Sequence, residues 1–271
     1  MAQQDPTGDW VQKLFEDEPE RGPGPEIGDY LGLPINASAR LRGDTWDATL
    51  IELPENQCRP HSSDYEWRSP SALRVWKEVD RSTQQTIAYH THMFFWADEQ
   101  TIWMDGRPHP SANAPHTWQG FSTGKWEGNT LAYTTTHLKE NWIRRNGIPR
   151  SENATISTHI MRHGNYLTVA VIVYDPAYLT EPFIRTTDFV LNPPQQIPPY
   201  PCEPVDEVDR PEGVVPNHLP GTNTFLVEFP AHYGIPPEAA RGGAETMYPE
   251  YIAKMKGMKL LPRPAGTHTD R

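Results

Sequence analysis

Apolar and polar residues alternate along short segments of this chain between residues 73 and 191. Because successive side chains of a strand point to opposite faces of a sheet, this period of two predicts half-buried β-strands. We predict eight strands, at residues 73–79, 86–96, 101–104, 118–123, 129–137, 155–162, 166–174 and 184–191. Turn sequences such as Asp105-Gly106 separate them. This arrangement predicts an all-β fold, namely a closed, antiparallel, lipocalin-like β-barrel.

The two ends of the chain lack this alternation. Residues 1–70 are rich in proline, glycine and acidic residues, which predicts an extended arm that packs on the barrel, with a short helix near residues 35–41. Residues 71–202 form the predicted barrel domain, which ends in a proline run that cannot be a central strand. Residues 203–271 predict a second extended arm with a short helix within 239–256, split by Pro249. The arms would wrap the barrel or join two subunits in a homodimer.

Composition restricts the partners of the chain. The net charge is −11 and the pI is near 5.4, so we expect no binding to the phosphate backbone of nucleic acid. No apolar run approaches the roughly 18 residues that a membrane span requires. The motifs GxGxxG, GxxxxGK[ST], GxSxG and HExxH are absent from the sequence, which weakens the case for a nicotinamide-dependent enzyme, an ATP-dependent enzyme or an ordinary serine hydrolase.

The cysteines and the first residues bear on the cellular compartment. Cys58 and Cys202 lie near prolines at the edges of the β-rich region, and the sequence leaves a disulfide and two free thiols equally open. The chain begins MAQQDP, and an AQQ start is what cleavage at a small-residue site leaves behind. We therefore expect a protein that is exported or periplasmic in origin, with a cytoplasmic location as the alternative.

Strand alternation also sorts the histidines by face. On the predicted second strand one face carries His90, His92, Phe94 and Trp96, and the fifth strand places His137 on the face of Tyr133. If these faces and that of His159 point inward, imidazoles converge in an aromatic cavity. Such a cavity suits proton transfer on a small apolar ligand, because imidazole titrates near neutrality.

These residues lead to a functional hypothesis. We predict a cofactor-independent enzyme, a lyase, hydratase or isomerase, acting on an apolar terpenoid or aromatic substrate inside the barrel. His137 and His159 are the predicted proton-transferring pair, with His116 at the rim. Tyr133 or Lys139 would stabilise developing negative charge. The predicted substrate-binding residues are Trp118, Phe94, Trp96, His90, His92 and Arg145.

Two alternatives remain open from the residues alone. His90-x-His92 has the spacing of two metal ligands on one face of a strand, and His137, His159 or Asp105 would supply a third ligand for a metal-dependent enzyme. The other alternative is a non-catalytic small-molecule binding protein.

The motifs DGRPHP and TWQGFSTGKWEG resemble those of an uncharacterised exported protein family of acidobacteria and proteobacteria. The segments GDYLGLPIN and GGAETMYPEY extend this similarity over nearly the whole chain. The resemblance implies an exported bacterial protein and transfers no catalytic residue. A looser likeness, at the level of the fold, is to lipocalin-like barrels, which include small-molecule lyases, hydratases and isomerases; a fold alone does not fix a function.

Overall fold

The computed structural model describes residues 4–15, 24–68, 72–94 and 98–263. Within these residues, strands β1–β11 are Gly8–Gln12, Ala72–Val79, Thr86–Met93, Asp98–Trp103, Phe121–Glu127, Thr130–Thr136, Asn141–Arg144, Ile148–Arg150, Thr155–His163, Tyr166–Tyr174 and Phe183–Leu191. Helices α1–α5 are Ala37–Asp44, Ser63–Glu66, Phe225–Tyr233, Pro237–Ala240 and Pro249–Met255, and two 3₁₀-helices are Ala48–Glu52 and Ala244–Met247. None of the described helices has the length and apolar character that would let it cross a bilayer.

Nine of the described strands close into one barrel in the order β1-β2-β3-β4-β5-β6-β9-β10-β11, with β11 returning to β1. The predicted barrel is therefore confirmed, whereas the count of eight strands is wrong. The ninth strand is β1, which pairs antiparallel with both β2 and β11. Its sequence, GDWVQ, is too short to show a period of two. Strands β7 and β8 form a separate two-stranded hairpin.

The prediction of a strictly antiparallel barrel is also wrong, because β4 and β5 run parallel. Parallel neighbours need a long crossover connection, which residues 104–120 provide. The His109 ring in this crossover contacts the hydroxyls of Thr123 and Thr136. Their strand neighbours Ser122 and Thr135 are buried inside, so the crossover runs over the outer surface of β5 and β6.

Alternate residues of each strand fill the barrel interior with side chains. In β10 every second residue from Leu167 to Val173 is buried, and in β3 the alternate residues Tyr89, Thr91 and Met93 are buried. Ala88 of β3 is buried as well, on the opposite face. This filling is one of the two outcomes that a barrel of this size allows, the other being an enclosed small ligand.

The segment around α2 is buried against the barrel through polar groups. Asp64 and Arg150 form a buried ion pair with 3.1 Å between Nε and Oδ1, and Arg150 also donates to the carbonyl of Lys139. Trp67 follows α2 and lies within the barrel core. These contacts tie the β7–β8 hairpin to the barrel.

The C-terminal segment packs on its own chain. The structure contains a Cys58–Cys202 disulfide, which resolves the two alternatives left by the sequence. Further along, Trp46 and Asn217 form a β-bridge, and His218 N donates to the carbonyl of Thr45.

The helices differ in part from their predictions. Helix α1 begins after Asn36, whose side chain accepts from two backbone N–H groups as an N-cap. Pro249 was expected to split a helix, but it occupies the first turn of α5, where its missing N–H costs nothing. Helix α3 lies in a segment that was expected to be extended.

Candidate active site at the barrel rim

The histidines of β3 lie on the outer face of the barrel, so the prediction that they point inward is wrong. His90 stacks on Trp76, with ring centroids 5.2 Å apart, and its Nε2 lies 3.4 Å from a carboxylate oxygen of Glu78. His92 Nδ1 lies 3.2 Å from Glu99. In the part of the chain that the structure describes, no group of three or more His, Cys, Asp and Glu could hold a metal ion.

His159 and His137 do not share a cavity. The neighbours of His159 in β9, Thr158 and Ile160, are buried, so His159 points outward. His159 pairs with Ala132 of β6. Ala132 precedes His137, the residue directly after β6, by five residues. At about 3.3 Å per residue, the two backbone positions are roughly 16 Å apart. The prediction that they converge is therefore wrong.

Tyr133 is the one predicted catalytic side chain that does lie inside the barrel. Its hydroxyl accepts from Trp67 Nε1 at 3.1 Å and donates to Gln100 Oε1 at 3.1 Å. Gln100 Nε2 in turn donates to Ser122 Oγ at 3.0 Å. Burial raises the pKa of Tyr133 well above its usual range. This side chain is thus a satisfied member of an internal network and does not face the histidines.

The remaining predicted wall residues are scattered. Phe94 contacts the ring of Tyr200, with 5.2 Å between centroids, and Trp96 lies outside the described residues. Arg145 is exposed, and its charge acts on His61. Burial, aided by Arg145 and Arg68, lowers the pKa of His61 to about 3, so this imidazole is neutral at physiological pH.

A different set of side chains converges where β6 ends. Thr117 and Leu138 form a parallel bridge, which places residues 116 and 118 on the same side as residues 137 and 139. The rings of His116 and His137 lie 5.4 Å apart. We call the face formed by His116, Trp118, His137, Lys139 and Arg59 the rim surface.

The tautomer of His116 follows from one hydrogen bond. Nδ1 of His116 lies 2.9 Å from the carbonyl oxygen of Leu138, which only accepts, so Nδ1 carries the proton. Nε2 of the neutral ring therefore carries a lone pair, and it makes no hydrogen bond to a described residue. An imidazole nitrogen prepared in this way can act as a proton acceptor.

His137 is held by a chain of hydrogen bonds. Its Nε2 lies 2.8 Å from the carbonyl of Ser111, and its Nδ1 lies 2.7 Å from Thr136 Oγ1, which is also 2.7 Å from His109 Nδ1. His137 has a φ of 58°, a conformation that residues other than glycine rarely adopt and that often marks functional sites. Burial and the nearby His137 lower the pKa of His109. The chain holds His137 rigidly beside His116.

Cations and aromatic rings complete the rim surface. Lys139 Nζ lies 4.9 Å from the Trp118 ring centroid, and the Arg59 guanidinium lies 4.7 Å from the same ring. Arg59 also lies 5.1 Å from the ring of Trp142. Arg59 was not a predicted site residue, because its segment has no regular pattern. The adjacent Cys58 could have indicated that this segment is held on the domain, since its disulfide with Cys202 fixes it there.

The sequence reasoning also missed a buried acid. Glu66 is fully buried, and its Oε1 accepts from the hydroxyl of Thr91 at 3.2 Å. Its Oε2 has no hydrogen-bond partner among the described residues. Burial raises the pKa of Glu66 to about 8, although the Thr91 hydrogen bond opposes this change. An isolated glutamate in an irregular segment usually faces solvent, so no sequence signal indicated its burial.

A groove larger than the space at the rim lies elsewhere on the barrel and lacks this chemistry. It has a volume of about 880 Å³, runs between β11 and the segment 31–33, and is lined by no described histidine. No protein-family model matches the sequence, and a comparison with curated proteins finds no significant relative. The candidate site therefore rests on the geometry of the rim surface alone.

Proposed function

We propose that the protein is a small-molecule enzyme that uses histidine acid–base chemistry at the rim surface, with His116 as the general base. The reaction would be of the lyase, hydratase or isomerase type. The observation that carries this proposal is the hydrogen bond from His116 Nδ1 to the Leu138 carbonyl, which leaves a lone pair on Nε2.

The side chains next to His116 can each assist one step of such a reaction. Nε2 of His116 removes a proton from a carbon of the substrate. Negative charge then develops on an oxygen attached to the next carbon, where the Lys139 ammonium stabilises it. In an isomerisation the protonated imidazole returns the proton to another carbon. In a lyase reaction the enolate re-forms its carbonyl and a carbon–carbon double bond while the bond to the leaving group breaks, and the leaving group takes the proton from the imidazolium. Trp118 gives the apolar part of the substrate a surface to pack on.

This proposal moves the reaction from the barrel interior to its outside. The interior is filled by side chains such as Leu131, Ile156 and Phe189, so the substrate binds at the rim surface. The Cys58–Cys202 disulfide supports the further proposal of an exported protein, because disulfides persist mainly in oxidising compartments.

Deuterium incorporation tests the proposal without knowledge of the full reaction. The protein is incubated in D₂O with a panel of aromatic and terpenoid carbonyl compounds and carboxylic acids that have a hydrogen on the carbon next to that group. Mass spectrometry then follows exchange. We expect exchange in at least one compound, and His116→Gln should lower its rate by about 10²–10⁴.

His159→Gln is the matched control, since it removes an imidazole from the outer face of β9 and should leave the rate unchanged. Loss of exchange in His159→Gln with retention in His116→Gln would move the site to β9. A panel that binds without exchanging would contradict a proton-transfer function.

A further inference from the structure

A narrow cleft opens beside the rim surface, and Arg59 contributes to both. The cleft has a volume of about 250 Å³. Its walls come from four parts of the chain: the end of α1 with the residues that follow it, the loop around Cys58, the β7–β8 hairpin, and residues Pro216 and Asn217 of the C-terminal segment.

Three hydrogen-bond donors among the cleft-lining side chains have no partner among the described residues. They are Trp46 Nε1, Asn141 Nδ2 and Arg59 Nε. Trp46 is 8% exposed and Asn141 is 6% exposed. A buried donor without an acceptor is destabilising, because its hydrogen bond to water is lost on folding and not replaced. Three such donors on residues that line one cleft favour a ligand that brings an acceptor oxygen to them.

The position of Trp46 is built into the fold. Its ring packs directly on Gly147, where an added Cβ would lie 2.3 Å from Trp46 Cγ. The rings of Trp46 and Trp142 meet edge-to-face, with 4.9 Å between centroids. A β-bridge to Asn217 holds the backbone of Trp46. The position of Trp46 is therefore fixed by the β7–β8 hairpin and the C-terminal segment together.

The charges of the cleft distinguish its ligand. Arg42 lies 3.6 Å from Glu140 at the cleft, and both side chains are largely exposed. Asp47 also lines the cleft, and its Oδ1 accepts from N and Oγ1 of Thr49 at 2.9 and 2.7 Å. The Arg59 guanidinium carries a burial cost that lowers its pKa, and only Glu140 opposes this change. A second anion close to Arg59 would offset that cost.

We infer that this cleft binds the carboxylate of a small aromatic or apolar acid. The oxyanion would accept from Trp46, Asn141 and Arg59, and its apolar body would pack on Trp142 towards Trp118. The inference does not depend on catalysis, because binding alone is sufficient for its test. If the proposed function is also correct, the cleft anchors the substrate whose carbon reaches His116.

Benzoate and its neutral isostere benzamide are the probes. We expect benzoate to bind the folded protein, to shift the Trp46 indole N–H resonance in a ¹H–¹⁵N spectrum, and to bind at least tenfold more tightly than benzamide. Trp46→Phe keeps the aromatic ring, removes the donor, assigns the resonance and should weaken benzoate about tenfold or more. Trp76→Phe, on the outer face of β2, is the matched control and should change nothing.

Glu140→Gln provides a second, oppositely directed test that does not endanger the fold, because this side chain is exposed. Removing its charge frees Arg42 and Arg59 for the ligand, so benzoate affinity should rise several-fold. Equal binding of benzoate and benzamide, or no shift of the Trp46 resonance at saturation, would overturn the inference. Intact binding together with absent deuterium exchange would contradict the proposed function and leave the cleft assignment in place.

Discussion

The barrel interior and the rim surface use similar residue types in opposite ways. Inside, Tyr133 donates to Gln100, Gln100 donates to Ser122, and the surrounding side chains are packed. At the rim, His116 Nδ1 is bonded to the Leu138 carbonyl and Nε2 makes no hydrogen bond to a described residue. In the adjoining cleft, the buried donors of Trp46 and Asn141 have no partner among the described residues. A fully satisfied buried network rigidifies a core, whereas each polar group left without a partner calls for a water, an ion or a ligand.

The largest expected effect concerns the buried support beneath the rim. Arg150→Met would leave the Asp64 carboxylate buried without its cation, and we expect a loss of about 3–5 kcal/mol in the free energy of unfolding. Urea denaturation measures this loss. The matched control is Lys125→Met, which removes a fully exposed ion pair with Glu127 and should give no measurable change. Equal effects of the two substitutions would contradict the distinction between buried and exposed charges.

The buried Glu66 predicts a pH dependence that belongs to the interior. The pKa of Glu66 is about 8 in the folded protein and 4.5 for an unperturbed glutamate. Between these two pH values the folded protein therefore keeps a proton that the unfolded chain has lost. The free energy of unfolding should therefore fall as pH rises from about 4.5 to about 8, by at most about 1.4 kcal/mol per pH unit. Glu66→Gln should remove this component. Parallel curves for the two proteins between pH 5 and 8 would show that the acid is ionised when folded.

Tyr133→Phe breaks the internal network at a smaller cost. It leaves Trp67 Nε1 and Gln100 Oε1 without the Tyr133 hydroxyl, and we expect a loss of about 1–3 kcal/mol on urea unfolding. Tyr174→Phe removes a hydroxyl from an exposed tyrosine and serves as the control. An unchanged free energy of unfolding in Tyr133→Phe would indicate that the network contributes little to the stability of the interior.

The sequence predicts the barrel better than it predicts the rim surface. Alternation located the barrel strands because a period of two is a local property, but it does not state which face is inside. In β3 the prediction places the polar face of His90 and His92 on the cavity wall, whereas the face of Tyr89, Thr91 and Met93 is the buried one. Apolar character alone would have favoured the correct choice there.

The rim surface could not be assembled from sequence because it depends on contacts between distant segments. Arg59 reaches Trp118 and Trp142 only when the Cys58 segment and the β7–β8 hairpin are packed together. His116 was predicted at a rim, but its tautomer depends on the Leu138 carbonyl across a parallel bridge. Glu66 lies in a helix of only four residues, which is too short to show a periodic hydrophobic pattern in the sequence.

The most direct test of the account compares the two regions in one assay. Deuterium incorporation is measured for His116→Gln and Tyr133→Phe, each at a temperature at which urea titration shows the variant to be folded. Chemistry at the rim predicts that exchange is nearly abolished in His116→Gln and close to wild type in Tyr133→Phe. Retained exchange in His116→Gln with loss in Tyr133→Phe would place the chemistry inside the barrel and contradict the account.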